Sequence, residues 1–336
     1  TTYNDITDIV DIAAGYNYTM LLKKDGTVLT SGQNNYGQLG DGTNKNSNVF
    51  HKVKLNDGTD LTNIIQISAE QYTSHAISSD GTVYSWGYNG HGQYGVNNTD
   101  TVYYPVKMQK VQNIIQISSG ANNVIMLDAD GSVWSVGYNS DGQLGLGNNT
   151  SKALPQKMLS EDGINDLTGV REVSAGEYHT AVIKEDGTAW ITGYNGYGQL
   201  GLGDTKARLL ITRMKDSENT PITNVKHVVA AAGITYVSTN KDSSGNTTGM
   251  YVMGQNGYGA LFTETTANVA TATRVQEDKD ILTMAVTRYQ DSWYGYNSGA
   301  IVDEFGKVYT VGYNTNGQMG NGTVETNKVP WCISNI

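Results

Sequence analysis

The stretch AAGYNYTMLLKKDGTVLTSGQNNYGQLGDG, from Ala13 to Gly42, decides the fold, because the chain writes it again as SAGEYHTAVIKEDGTAWITGYNGYGQLGLG from Ser174 to Gly203. Its most constant phrase, Gly-Tyr/Gln-Asn-x-x-Gly, occurs six times, starting at Gly32, Gly87, Gly137, Gly193, Gly254 and Gly312. The intervals are 55, 50, 56, 61 and 58 residues. A fixed period of this size marks an array of like structural units.

Four short segments surround each phrase. The first begins at Ile9, Ile64, Ile114, Val170, Val225 and Ile281, as in IIQISAE. A loop and a second alternating run follow, as in HTAVIKEDG, and the chain turns at Asp25-Gly26, Asp80-Gly81, Asp130-Gly131, Asp186-Gly187 and Phe305-Gly306. The third runs are TVLTSG, TVYSWG, SVWSVG, TAWITG, MYVMG and KVYTVG, and a fourth, such as YYPVKM or LLITRM, ends each unit. Alternation of period two with many Val, Ile, Thr, Tyr and Trp predicts strands, and Asp-Gly between two such runs predicts a hairpin. No segment carries a sustained helical period. The expected fold is therefore all-β: a β-propeller of four-stranded antiparallel blades, with six blades favoured, forming a single domain over 1–336. The repeats are read as 9–63, 64–113, 114–169, 170–224, 225–280 and 281–336. Residues 29, 84, 134, 190, 251 and 309 stand three before the third-strand glycine, mostly as Tyr or Trp, and are expected to pack blade against blade.

Composition agrees. Forty glycines with 4 prolines fit a fold of many tight turns and exclude collagen-like repeats. With 32 acidic and 22 basic residues the formal charge is −10, and no basic run exceeds Lys23-Lys24, so nucleic acid is not the expected partner. The single Cys332 permits no internal disulfide. The start at Thr1, without methionine or apolar leader, reads as a trimmed or processed end, and no apolar run is long enough for a helix to span a bilayer.

These letters resemble the regulator-of-chromosome-condensation repeat family, whose signature combines an Ala-Ala-Gly-like strand end, an Asp-Gly turn, a Trp-Gly-like strand end and Asn-x-x-Gly-Gln-Leu-Gly. The resemblance covers nearly the whole chain. Copies five and six depart from it, the fifth by NKDSSGNTTG in place of Asp-Gly and the sixth by the insert RYQDSWYG after its first strand. The resemblance implies a propeller, commonly of seven blades. The first copy here begins at its first strand and the sixth ends on a full fourth strand, KVPWCI, which favours a ring of six. Among activities, the resemblance points to exchange on a small nuclear GTPase, plant photoreception, bacterial effectors and β-lactamase inhibition. A basic tail for chromatin is absent from this stretch, and Trp86, Trp134 and Trp190 fall on third strands instead of forming a photoreceptor cluster.

In a four-stranded meander the loops after strands one and three leave from one end of the blade. Their letters vary between copies while the frame stays fixed. The expected binding residues are Tyr16, Tyr18, Tyr36, Tyr72, His91, Tyr178, His179, Tyr197 and Tyr258, together with Tyr289, Trp293, Tyr294 and Tyr296 of the insert. Tyrosine and tryptophan supply contact area at low entropic cost. No metal-ligand spacing, phosphate loop, nucleophile elbow or dinucleotide fingerprint is present, and Asp128-Ala-Asp130-Gly131 reads as a hairpin turn. The expectation is a binding module without cofactor and not an enzyme. Its partner is a protein or a glycan, and the Asn/Tyr/Thr/Gly-rich composition suggests a secreted or surface location on a bacterial protein, with the cytoplasm as the alternative. Regulation of a small GTPase, and enzyme inhibition or catalysis on the same face, are the alternative functions.

Overall fold

A computed structural model describes residues 6–287 and 296–333. Within them the chain forms six four-stranded antiparallel sheets, each a meander in sequence order, and no helix. The first sheet consists of Ile9–Ala14, Tyr18–Lys23, Val28–Gly32 and Ser47–Lys52. The other five span residues 64–107, 114–157, 170–213, 225–275 and 281–333. These are the blades of a six-bladed β-propeller, as the repeat predicts.

Two compact units are present: Thr1–Tyr138 with Thr150–Met158, and Asn139–Asn149 with Leu159–Ile336. In both, the apolar core lies between successive sheets. In the first unit, Met20, Leu22, Val28 and Leu39 of blade one pack with Ile64, Ile67, Ala76 and Trp86 of blade two. In the second, Ile183, Ile191 and Leu200 of blade four pack with Val225, Val228, Val237 and Met253 of blade five. A sheet sandwiched on both faces must bury its middle strands completely, and Thr73–Ser78 and Ile234–Thr239 are buried at every residue. Polar residues on these faces are consumed by the neighbouring sheet. Gln66 accepts from the Ile117 amide at 3.0 Å, and the Ser174 hydroxyl accepts from the Ala230 amide at 2.9 Å.

The Asp-Gly turns behave as expected. Asp25, Asp80 and Asp186 each accept the amide of the residue two further on, and Gly26, Gly81 and Gly187 hold φ of 77–79°. Asp128 is likewise a turn anchor. One carboxylate oxygen accepts from the Asp130 and Ser132 amides, and the other holds the Trp134 indole at 2.9 Å.

The third-strand aromatics pack against the core between blades as expected, Tyr251 within it and Tyr84, Trp134 and Tyr309 against it, but they differ in depth. Only Trp190 and Tyr251 are buried, whereas Tyr84, Trp134 and Tyr309 are half-buried near the outer strand. Each lies under a cation: Lys107 over Tyr84, Lys157 over Trp134, Lys184 and Arg213 over Trp190, Arg274 over Tyr251 and Lys279 over Tyr309, at 4.9–5.9 Å. The register explains this, since Tyr84 pairs with Lys107, Trp134 with Lys157 and Trp190 with Arg213 across strands three and four. These rings work as cross-strand cation–π pairs as well as core.

One seat in the first unit is open. Ile67, Ile117, Val228 and Met284 occupy one repeat position and are 5%, 3%, 4% and 8% exposed, whereas Ile12 at that position is 65% exposed. Truncating Ile67 leaves a cavity, and truncating Ile12 does not. In urea unfolding, Ile67→Ala should therefore lose about 3 kcal/mol, and Ile12→Ala under about 0.5 kcal/mol.

Candidate functional site

The loops after strands one and three are built on two residues of the repeated phrase. The glycine ending strand three has φ between 98° and 121° in all six copies. A Cβ there would stand 2.1–2.5 Å from the carbonyl oxygen of Asn17, Tyr72, Asn122, Tyr178, Gly233 or Asn297, so no other residue fits. The same carbonyls accept the next amide, from Gln33, Tyr88, Tyr138, Tyr194, Gln255 and Tyr313, at 2.8–2.9 Å. That bond ties the two loops of a blade together.

The asparagine that follows is buried in every copy and clamps the long loop. The side-chain oxygens of Asn34, Asn89, Asn139, Asn195, Asn256 and Asn314 accept the amide five residues on, at 2.8–3.0 Å. Their amide nitrogens donate to the carbonyl nine residues on, at 2.9–3.1 Å. The loop so closed then stitches neighbouring sheets. The Gln38 carbonyl accepts from Ser74 at 2.8 Å and from the Trp86 indole at 3.0 Å, and the Gln199 carbonyl accepts from Thr235 at 2.8 Å.

On this frame stand the aromatic rings. In the first unit six of them form a continuous series across three blades. Tyr16 meets Tyr72 at 5.9 Å between centroids, Tyr72 meets Tyr36 at 4.9 Å and Tyr36 meets Tyr88 at 5.3 Å. Tyr88 meets His91 at 6.3 Å, and His91 meets Tyr138 at 4.8 Å. In the second unit Tyr194 lies between Tyr178 at 6.4 Å and Tyr197 at 5.9 Å. Tyr258, Tyr296 and Tyr313 form a separate trio at 4.7–5.2 Å. Tyr16, Tyr36 and Tyr296 are exposed, and the other rings of these groups are partly exposed.

Thus Tyr16, Tyr36, Tyr72, His91, Tyr178, Tyr197, Tyr258 and Tyr296 sit in aromatic clusters at the loop ends. Tyr289, Trp293 and Tyr294 lie outside the described residues. Tyr18 and His179 are placed differently. They are 4% and 0% exposed, because each is the first residue of a second strand and its side chain points between sheets. The Tyr18 hydroxyl donates to the Thr73 carbonyl at 2.7 Å and lies 2.9 Å from the Ser74 hydroxyl. His179 Nε2 lies 2.9 Å from the Thr235 hydroxyl, which itself donates to the Gln199 carbonyl, so His179 is the donor. Sequence reasoning missed Tyr88, Tyr138, Tyr194 and Tyr313. Their recurrence in four of the six phrases marked them as frame, yet each ring stands among the loop aromatics. The sign was their position, directly after the glycine that ends strand three.

Electrostatically the blade-four loop stands out. Glu177 is 7% exposed, and burial pushes its carboxyl up to about 7, with a hydrogen bond from Tyr178 opposing the shift. Burial likewise pushes His75 and His179 down to about 3. Among the described residues no group of His, Cys, Asp and Glu is arranged to hold a metal ion.

A family model described as RCC1-like domain matches residues 1–335. The X-linked retinitis pigmentosa GTPase regulator of Homo sapiens is 39% identical over 93 residues, which is 28% of this chain and 9% of that protein. The ultraviolet-B receptor UVR8 of Arabidopsis thaliana is 27% identical over 315 residues, 94% of this chain and 55% of that protein. The matched part is thus about half or less of these curated relatives. Among solved structures, human WBSCR16 superposes with a TM-score of 0.77 at 22% identity, covering 97% of this chain and 82% of that one. Prp20p of Saccharomyces cerevisiae, described with its binding properties to Gsp1p and histones, gives 0.77 at 20% identity, over 97% and 77%. At these identities the structures speak for the fold.

Two outcomes follow from the loop frame. Asn195→Ala strands the Leu200 amide and the Asp204 carbonyl and should cost about 2–4 kcal/mol in urea unfolding. Glu177 is favoured protonated in the folded state, so its contribution is full below the ordinary carboxylate range and is lost as pH rises towards 7. Relative to Glu177→Gln, the wild type should lose about 3 kcal/mol between pH 4.5 and pH 8. His75 and His179 titrate in the opposite sense but are common to both proteins, so the difference isolates Glu177.

Proposed function

Because the chain belongs to the RCC1-like domain family, we propose that it is a protein-interaction module that takes its partner on the aromatic loop ends of its blades. The observation that carries this reading is the series Tyr16–Tyr72–Tyr36–Tyr88–His91–Tyr138, in which rings from three successive blades touch in sequence. Half-exposed rings held on a rigid frame lose little entropy on binding, which is the property of interface anchors. Rings in a linked series suit an extended or large surface better than a single small molecule.

A protein partner is favoured over a glycan, because the solved relative Prp20p is described with protein partners, Gsp1p and histones. A secreted or surface setting belongs to the same proposal and rests only on the composition. The second reading is regulation of a small GTPase. It is favoured by the 39% identity to a protein described as a GTPase regulator.

The triple variant Tyr36→Ala, Tyr88→Ala, His91→Ala separates partner binding from folding. Measured by biolayer interferometry against a partner purified from the source cells, its affinity should fall at least about 100-fold. Its far-ultraviolet circular dichroism should match the wild type. Unchanged affinity would remove the aromatic series from the function. Faster nucleotide release from purified small GTPases would move the conclusion to the second reading.

A further inference from the structure

The second unit holds a corner where aromatic rings and carboxylates meet. Tyr194 stands between Tyr178 and Tyr197, with successive ring planes at 75° and 79°. Nearly perpendicular rings form walls, and a wall presents the negative face of a π system to the space beside it. Glu177 precedes Tyr178 in the strand-one loop of blade four, and its carboxylate bonds to the Tyr178 hydroxyl. Asp141, from the blade-three loop that belongs to this unit, is close enough to act electrostatically on Tyr194.

Neither carboxylate has a counter-ion among the described residues. Asp141 accepts from the Ser140 hydroxyl at 2.7 Å, a neutral partner. Burial without a counter-ion favours the neutral form of Glu177, and a cation arriving beside it would favour the carboxylate. The surrounding loops supply little positive charge. Those of the second unit carry Asp141, Glu177, Asp204, Glu264 and Glu325 against Lys206 among the described loop residues. Asp204 is already paired with Arg208 on the adjoining strand at 2.9 Å.

We infer that the corner formed by Tyr178, Tyr194, Tyr197, Glu177 and Asp141 receives the ammonium group of a lysine side chain presented by the partner protein. The residues named supply the chemistry: π faces for the cation, two carboxylates with no counter-ion among the described residues, and aromatic walls for the methylene stem. The same pairing of cation and ring already occurs within this chain, at Tyr84, Trp134, Trp190, Tyr251 and Tyr309. The inference rests on the protein-binding reading and adds the chemistry of the contact.

The test is fluorescence anisotropy of the full chain with labelled Gly-Ser peptides carrying three lysines or, in their place, three norleucines. The lysine peptide should bind and the norleucine peptide should not. Glu177→Gln with Asp141→Asn should weaken the lysine peptide about tenfold, as should Tyr194→Ala, while Tyr194→Phe with Tyr197→Phe should hold the affinity within about twofold. Equal binding of the norleucine peptide, or indifference to Glu177→Gln with Asp141→Asn, overturns the inference. So does full competition by free n-butylammonium at the concentration of peptide, because the lysine would then need no polypeptide. Circular dichroism monitors folding, and if Tyr194→Ala is unfolded the two conservative double variants decide. A partner lost on mutating Tyr36, Tyr88 and His91 but unaffected at Glu177 and Asp141 sinks this inference and leaves the protein-binding reading standing.

Discussion

The buried asparagine of the repeated phrase is the constraint on which the rest of each blade depends. Its side chain has one acceptor and one donor group, and both are spent inside the same loop, on an amide five residues ahead and a carbonyl nine residues ahead. A loop of this length with no regular structure would otherwise bury backbone groups without partners, each at a cost of about 1–3 kcal/mol. Aspartate would keep the acceptor and lose the donor, and leucine would lose both. The amide side chain alone matches the geometry, which is why the letter does not change in six copies. The glycine two places earlier acts at the same point by a different means: it removes a Cβ that would collide with the carbonyl of the neighbouring loop.

Once the loop is closed, its far limb becomes a docking element. In the first unit the Gln38 carbonyl takes hydrogen bonds from Ser74 and Trp86 of the next sheet, and in the second the Gln199 carbonyl takes one from Thr235. Sheet-to-sheet packing is otherwise apolar and tolerant of sliding, as close-packed aliphatic faces are. These buried polar contacts fix the register. The same few residues thus shape the loop that carries the aromatic rings and set the position of the blade beside it, so rings from successive blades arrive within 4.8–5.9 Å of one another.

The blades were legible because their signals are local. Period-two alternation, the Asp-Gly turns and the spacing of the glycine phrase each depend on residues close in sequence, and all appear in the structure. What was less legible depends on the neighbouring sheet. Tyr18 and His179 look like loop residues because they follow variable letters. They are instead the first members of strands whose two faces are both covered. Tyr88, Tyr138, Tyr194 and Tyr313 show the reverse case. Their recurrence in four of the six copies signals a backbone role, and they do begin the clamped loop, but their rings lie in the aromatic clusters. Repetition within one chain identifies the positions that the frame requires. It does not show which of them also meet solvent, because exposure is set by what packs alongside.

Two sets of aromatic rings therefore coexist in blades two to six and solve different problems. The third-strand rings face the outer strand, where Lys107, Lys157, Arg213 and Arg274 lie over them, so the chain spends several of its 22 basic residues on contacts with itself. The loop-end rings rest on one another, and the charged residues placed beside them are mostly carboxylates. The two ring sets therefore differ in what satisfies them: the third-strand rings lie under cations of their own chain, whereas the loop-end rings lean on neighbouring rings and keep part of their surface exposed.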